Sequence, residues 1–185
     1  MKRLFVAIKI IPDEKLLTAY YDIRNRCFAD KIKWVKDDLF HLTLKFLGET
    51  REEDIAVITD VLKKIAAETK PFTFDLKGLG IFGSSYRPRI IHVNIEDSKN
   101  LKDLGYRILN DFDKVGFPKD RQNFVPHLTL GRIRFIQDKK LFQQSVNLYK
   151  DAYLQQVKVE ELILFESILH PTGPEYLVLD TFKLL

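Results

Sequence analysis

The word His-Leu-Thr-Leu occurs twice in this chain, at 41–44 and at 127–130, 86 positions apart in 185 residues. In an extended strand successive side chains point to opposite faces. Each copy therefore sends its two leucines one way and its histidine and threonine the other. Two such strands, one per half of the chain, predict a duplicated half-domain folded about an approximate two-fold axis. An imidazole and a hydroxyl from each half would then converge in one cleft. The histidine is the informative letter, because only four exist and two of them fill the same slot of the same word.

Imidazole is the side chain best suited to gaining or losing a proton near neutral pH. A pair of them supplies one base and one acid for a single displacement. Threonine hydroxyls beside them are neutral donors suited to the non-bridging oxygens of a phosphate. His41, Thr43, His127 and Thr129 thus point to a phosphodiester as the substrate.

Composition sets wide bounds around that core idea. With 45% hydrophobic and 12% aromatic residues the chain can bury a real core, and its evenly scattered charges argue against disorder. Lys and Arg number 30 against 26 Asp and Glu, a mild excess that suits a phosphate-bearing ligand but lacks the basic stripe of a duplex-DNA binder. The single cysteine, Cys27, can form neither an internal disulfide nor a Cys-based zinc site. The basic-then-apolar start, Lys2-Arg3-Leu4-Phe5-Val6-Ala7-Ile8, runs out at Lys9 without a cleavage site, so it reads as a first strand and not a signal peptide. No run approaches the twenty or so apolar residues that span a bilayer, and the expectation is a cytoplasmic monomer without membrane contact.

The periodicities predict a strand over 3–10, a helix over about 13–28 and a short strand from Ile32 to Lys36. The first motif strand runs from Leu39 to Phe46 and ends at Gly48. Thr50-Arg51-Glu52-Glu53 has the form of a capping box that opens a helix reaching Thr69. Beyond Pro71 a strand begins at Phe72, bends at Gly78-Leu79-Gly80 towards Phe82 and meets a loop at 83–85. Arg89 to Ile95 form the next strand, Asp97 or Ser98 caps a third helix that closes near Gly116, and the second motif strand covers Asn123 to Arg134. A helix over about 138–149 precedes a closing pair of strands, Val157–Ile168 and Tyr176–Leu184. The absence of regular βαβ alternation predicts α+β with antiparallel sheets. With no linker between the halves, residues 1–185 read as a single two-lobed domain.

The words RLFVAIKI, HLTLKFLGE and PHLTLGR, with RPRIIHVNI and LILFESILHPTGPEYLVL in weaker support, resemble the two-histidine phosphoesterase superfamily. Within it they are most similar to the bacterial and archaeal RNA 2',3'-cyclic phosphodiesterases, formerly named 2'-5' RNA ligases. The resemblance covers essentially the whole chain. It implies a bilobal, pseudo-two-fold-symmetric α+β fold with antiparallel sheets lining a central cleft and helices packed outside. It further implies hydrolysis of a 2',3'-cyclic phosphate on an RNA 3' end to a 2'-phosphate, with no metal and no cofactor, and hence activity that persists in EDTA. His41 and His127 would be the catalytic pair, Thr43 and Thr129 would bind phosphate, and Arg132 would also meet phosphate oxygens. The same site could serve ligation, 2'-5' oligonucleotides or small cyclic nucleotides. A non-catalytic RNA-end binding module is the alternative of another class.

Arg132 poses a geometric condition. It lies five residues after His127, an odd separation that puts it on the leucine face of an unbroken strand. A bulge or strand end at about Gly131 would re-aim it into the cleft. Lys45, by contrast, shares the face of His41 and Thr43 if its strand is regular. There it is either an added positive charge near the phosphate or a solvated side chain. His92 reads either as a cleft wall or as a packed core ring, and His170 as an exposed turn residue. Trp34, Phe46 and Tyr176 could stack on a base, and Arg87 and Arg89 could reach an RNA backbone.

Overall fold

The computed structural model describes residues 1–96, 98–119 and 123–185. In chain order the elements are β1 (Lys2–Lys9), α1 (Glu14–Arg26), β2 (Lys31–Trp34), β3 (His41–Thr50), α2 (Ile55–Ala67), β4 (Phe72–Gly83) and β5 (Pro88–Ile95). There follow α3 (Lys99–Lys114), β6 (His127–Phe135), α4 (Lys139–Asn147), β7 (Tyr153–Val159), β8 (Glu161–His170) and β9 (Gly173–Lys183). Two antiparallel sheets result, ordered β3-β1-β8-β9 and β2-β6-β5-β4-β7. Each motif strand lies beside the first strand of its own half, β3 against β1 and β6 against β5. The halves also exchange strands, since β2 and β4 join the second sheet and β8 and β9 the first.

One continuous core contains Leu4, Val6 and Ile8 of β1, Leu42 and Leu44 of β3, Leu128 and Leu130 of β6, and the apolar stripes of the helices. The motif leucines therefore do what their alternation requires. β1 is buried on both faces, because Phe5 and Ala7 join Ile163 and Phe165 in a second cluster on the opposite side of the first sheet. That is why its sequence is an uninterrupted apolar run and not an alternating one. Asp13, Ser98 and Asp138 cap α1, α3 and α4 by accepting from the backbone N–H three residues on. Of the two expected caps for α3, Ser98 fills the role and Asp97 lies outside the described residues. Gln155 of β7 joins the halves: its carboxamide accepts from the N–H of Asp13 at 2.9 Å and donates to the carbonyl of Ile11 at 2.8 Å.

Three expectations are corrected. Thr50 is the last residue of β3 and its hydroxyl donates to the carbonyl of Gly48, so the capping box is not formed and α2 starts only after a 3-10 turn at Glu52–Asp54. Gly48 does not end the strand; it takes a positive φ of 74° and carries the pairing with β1 on to Thr50. The apolar run Val157–Ile168 is two strands in different sheets, parted at Glu160.

Candidate active site

His41 and Thr43 on β3, and His127 and Thr129 on β6, stand half-buried on the faces of their sheets opposite the leucines. The two strands are in contact. Across the ladders the halves match row by row. His41 faces Lys9 and Thr43 faces Ala7, while His127 faces Asn94 and Thr129 faces His92. Both motif strands then slip by one residue at the same point of the word. Between Thr43 and Lys45 the partner on β1 advances by one position only, and between Thr129 and Gly131 the partner on β5 does likewise. This is a bulge at Leu44-Lys45 and an identical one at Leu130-Gly131.

The bulges decide three side chains. Arg132 comes opposite Ile90 on the histidine face, as the slip expected at about Gly131 requires. Phe46, its counterpart, comes opposite Phe5. Lys45 is turned the other way, which corrects its assignment to the histidine face: it is buried, and its ammonium donates to the carbonyl of Pro118 at 2.6 Å. Gly131 occupies the position of Lys45 in the second half, and there a methyl would lie 2.7 Å from Cγ2 of Ile32 and 3.2 Å from Cε3 of Trp34.

The imidazoles are held alike. Nδ1 of His41 lies 2.7 Å from the carbonyl of Leu39 and Nδ1 of His127 lies 2.8 Å from that of Val125, in each case two residues back. A carbonyl only accepts, so Nδ1 carries a proton and Nε2 is the nitrogen left to exchange one with a ligand. Burial lowers the pKa of both rings, most strongly opposing the charged form, and the Arg132 guanidinium lowers both further. The same guanidinium favours ionisation of the Tyr176 hydroxyl, although burial wins and raises it. One cation therefore bears on His41 and Tyr176 of the first sheet and on His127 of the second. Neither motif threonine hydroxyl has a partner among the described residues, which leaves both available to a ligand.

The surroundings of the two histidines differ. His41 meets Phe5 at 5.2 Å and Tyr176 at 5.1 Å between ring centroids, and Phe5 also lies near Phe46 and stacks on Phe165. His127 meets the edges of Phe82 at 4.7 Å and His92 at 5.4 Å. His92 is 4% exposed, stacked on Phe82 at 4.1 Å, and burial pushes its pKa down to about 4, so it stays neutral beside His127. It is a buried ring directly across the ladder from Thr129. Phe5 and Lys9 likewise neighbour His41, and Phe82 and Asn94 neighbour His127. Phe5 and Lys9 share a face of β1 by alternation, but no motif marked that face as the one towards the histidines. His170 sits in the last hairpin against Glu175, and Arg87 and Arg89 are exposed. Trp34 packs on the core side and Cys27 is buried, its thiol pushed up to about 12. Among the described residues no three His, Cys, Asp or Glu side chains are grouped as metal ligands, and no helix is long and apolar enough to cross a membrane.

The segment entering β6 rests on α3. The ring of Phe124, beside Val125, lies directly over Gly105, where a methyl would come 2.7 Å from Cδ1 and Cζ of that ring. Replacing glycine by alanine inside a helix normally stabilises by about 1 kcal/mol. Here overpacking of about 1–3 kcal/mol should reverse the sign. Gly105→Ala should therefore lower the urea midpoint and, by shifting Val125, also lower activity. A higher midpoint would show that Phe124 is free to move.

The family pattern described as LigT like Phosphoesterase matches residues 8–92 and again 93–176. An RNA 2',3'-cyclic phosphodiesterase of Methanocaldococcus jannaschii is 33% identical over 177 residues, covering 96% of this chain and 98% of the relative. One of Thermotoga maritima is 34% identical over 148 residues, covering 79% and 76%. Among solved structures, a protein of Thermus thermophilus superposes with a TM-score of 0.81 at 26% identity over 98% of this chain and 97% of its own. Escherichia coli LigT complexed with 3'-AMP gives 0.78 at 22% identity over 99% and 98%, a likeness of fold.

Proposed function

The chain belongs to the LigT-like phosphoesterase family, and from that membership we propose that it hydrolyses the 2',3'-cyclic phosphate at RNA 3' ends, leaving a 2'-phosphate, by acid–base work of His41 and His127. The observation that most supports the reading is the matched presentation of two imidazoles. Each is on a bulged strand, each is anchored through Nδ1 to a carbonyl two residues back, and Arg132 bears on both.

In this reading a water attacks phosphorus in line with the ribose 3' oxygen. Nε2 of neutral His127 takes the water's proton. Nε2 of protonated His41 gives its proton to the departing 3' oxygen as the P–O3' bond breaks. The walls favour this direction: exposed Phe46 and half-buried Tyr176 on the first sheet suit the nucleoside that carries the leaving oxygen, whereas Phe82 beside His127 is already stacked on the buried His92. The water then enters from the His127 side. Thr43, Thr129 and Arg132 hold the non-bridging oxygens, Arg132 as the charged donor.

Incubating the protein with an RNA that ends in 2',3'-cyclic phosphate and analysing the terminus tests reaction and direction together. A 2'-phosphate is expected; an unchanged end or a 3'-phosphate overturns the reading. The pH dependence follows from burial, which sets both pKa values below 6.5 in the free protein. The acid must keep its proton, so kcat/KM should fall as pH rises through neutrality. It should fall again at low pH as the base is protonated, giving a bell with its maximum on the acid side of 6.5. A profile flat through neutrality would remove the paired-proton account.

A further inference from the structure

β2 is a short edge strand whose residues alternate in exposure, with Lys31 and Lys33 exposed and Ile32 and Trp34 turned towards the core. Its register on β6 sets Lys33 directly opposite Arg132, and cross-strand partners share a face. The row of charge that begins at the histidines with Arg132 thus continues outward to Lys33. Two residues along β2, about 6.6 Å at the rise of a strand, comes Lys31. On β6 the exposed Arg134 follows, and Phe135, half exposed, is the partner of Lys31. Phe28, 86% exposed, lies just before this strand in the chain.

None of Lys31, Lys33, Arg132 and Arg134 forms an ion pair with a described residue. The acids at the outer end are occupied by backbone, Asp30 accepting from the N–H of Gln137 and Asp138 capping α4. Cations left without partners and spaced along a strand, with exposed aromatic rings at the far end, form the arrangement that single-stranded nucleic acids bind. The charges follow the backbone and the rings take the faces of bases.

We propose that this edge, Lys31 and Lys33 of β2 with Arg134 and Phe135 of β6, is a track for the single-stranded RNA that precedes the terminal nucleotide. The inference rests on the reading of the active site given above and assigns a place to the rest of the RNA chain; a cyclic mononucleotide would reach Arg132 and no further, and so would be turned over without the track. The chain direction follows too: the 3' end lies at the histidines and the 5' portion leaves along β2.

The test compares binding of an eight-nucleotide RNA carrying a 2'-phosphate with that of a nucleoside 2'-monophosphate, across a salt series. Each phosphate neutralised on a single strand contributes about −0.7 to the slope of log K against log salt. The wild type should show a steeper slope for the octamer. Lys31→Ala with Lys33→Ala should flatten it by about 1.4 and weaken octamer binding roughly tenfold at low salt. The lysine-to-arginine pair should restore it, and turnover of a cyclic mononucleotide should stay at the wild-type rate in both variants. Equal slopes for the two ligands in the wild type, or an alanine pair that binds the octamer normally, overturns the track. Because binding is read without turnover, a protein that binds the octamer in a lysine-dependent way yet leaves cyclic ends intact would sink the proposed reaction and leave the track standing.

Discussion

Replacing His127 by alanine should lower kcat on an RNA cyclic-phosphate end by about a hundredfold to ten-thousandfold, with KM little changed. His127 holds no phosphate oxygen in the proposed reaction; it moves a proton at Nε2, a role confined to the transition state. Ground-state binding stays with Thr43, Thr129 and Arg132. His41→Ala should fall in the same range, because its Nδ1 is anchored in the same way and its Nε2 does the complementary transfer. The double variant should be little worse than the poorer single one, since groups that act as a unit do not lose rate additively. Single-turnover kinetics on the three proteins checks this. A His127→Ala protein with wild-type kcat, or singles whose losses multiply, would remove the pair as a catalytic unit.

Arg132→Ala is the second large effect expected, about a hundredfold to a thousandfold in kcat, the range for losing one preorganised donor to a developing charge. It has a signature that loss of packing would lack. The guanidinium lowers the pKa of both imidazoles, so its removal must raise both, and the bell in kcat/KM must move to higher pH. Arg132→Lys keeps the charge but not the two-pronged donor. It should leave the bell near its wild-type position while recovering only part of the rate. If Arg132→Ala slows the reaction without moving the profile, the guanidinium is not near the imidazoles in solution.

What the sequence disclosed, it disclosed where one physical constraint acted alone. The strand period fixes the leucine and histidine faces of both motifs. The odd separation of Arg132 from His127, with a glycine between, demanded an irregularity at 131. The twin irregularity at Leu44-Lys45 was hidden, because Lys45 is compatible with either face until its ammonium is seen on the carbonyl of Pro118. The division of 157–168 was equally silent: Val157 and Val159 end one strand and Leu162 is the first apolar residue of the next, with only Glu160 and Glu161 between, and no glycine or proline marks the crossing. Thr50 carried the right letters for a helix cap, but pairing with Lys2 claimed its backbone first. The placing of His92 across from Thr129 depended on register between β5 and β6, which no local pattern encodes.

The exchange of β4 and β8 between the sheets means that neither half of the duplicated chain owns a complete lobe. Cut between residues 85 and 86, the amino-terminal fragment would lack the strand that covers one side of β1, and the carboxy-terminal fragment the strand that covers one side of β5. Such pieces should be unfolded apart and structured only when mixed, and the intact protein should fold slowly, since strands far apart in the chain must find each other early. A partially assembled molecule then carries no half-built pair: both proton carriers are set in place by the same cooperative event, or neither is.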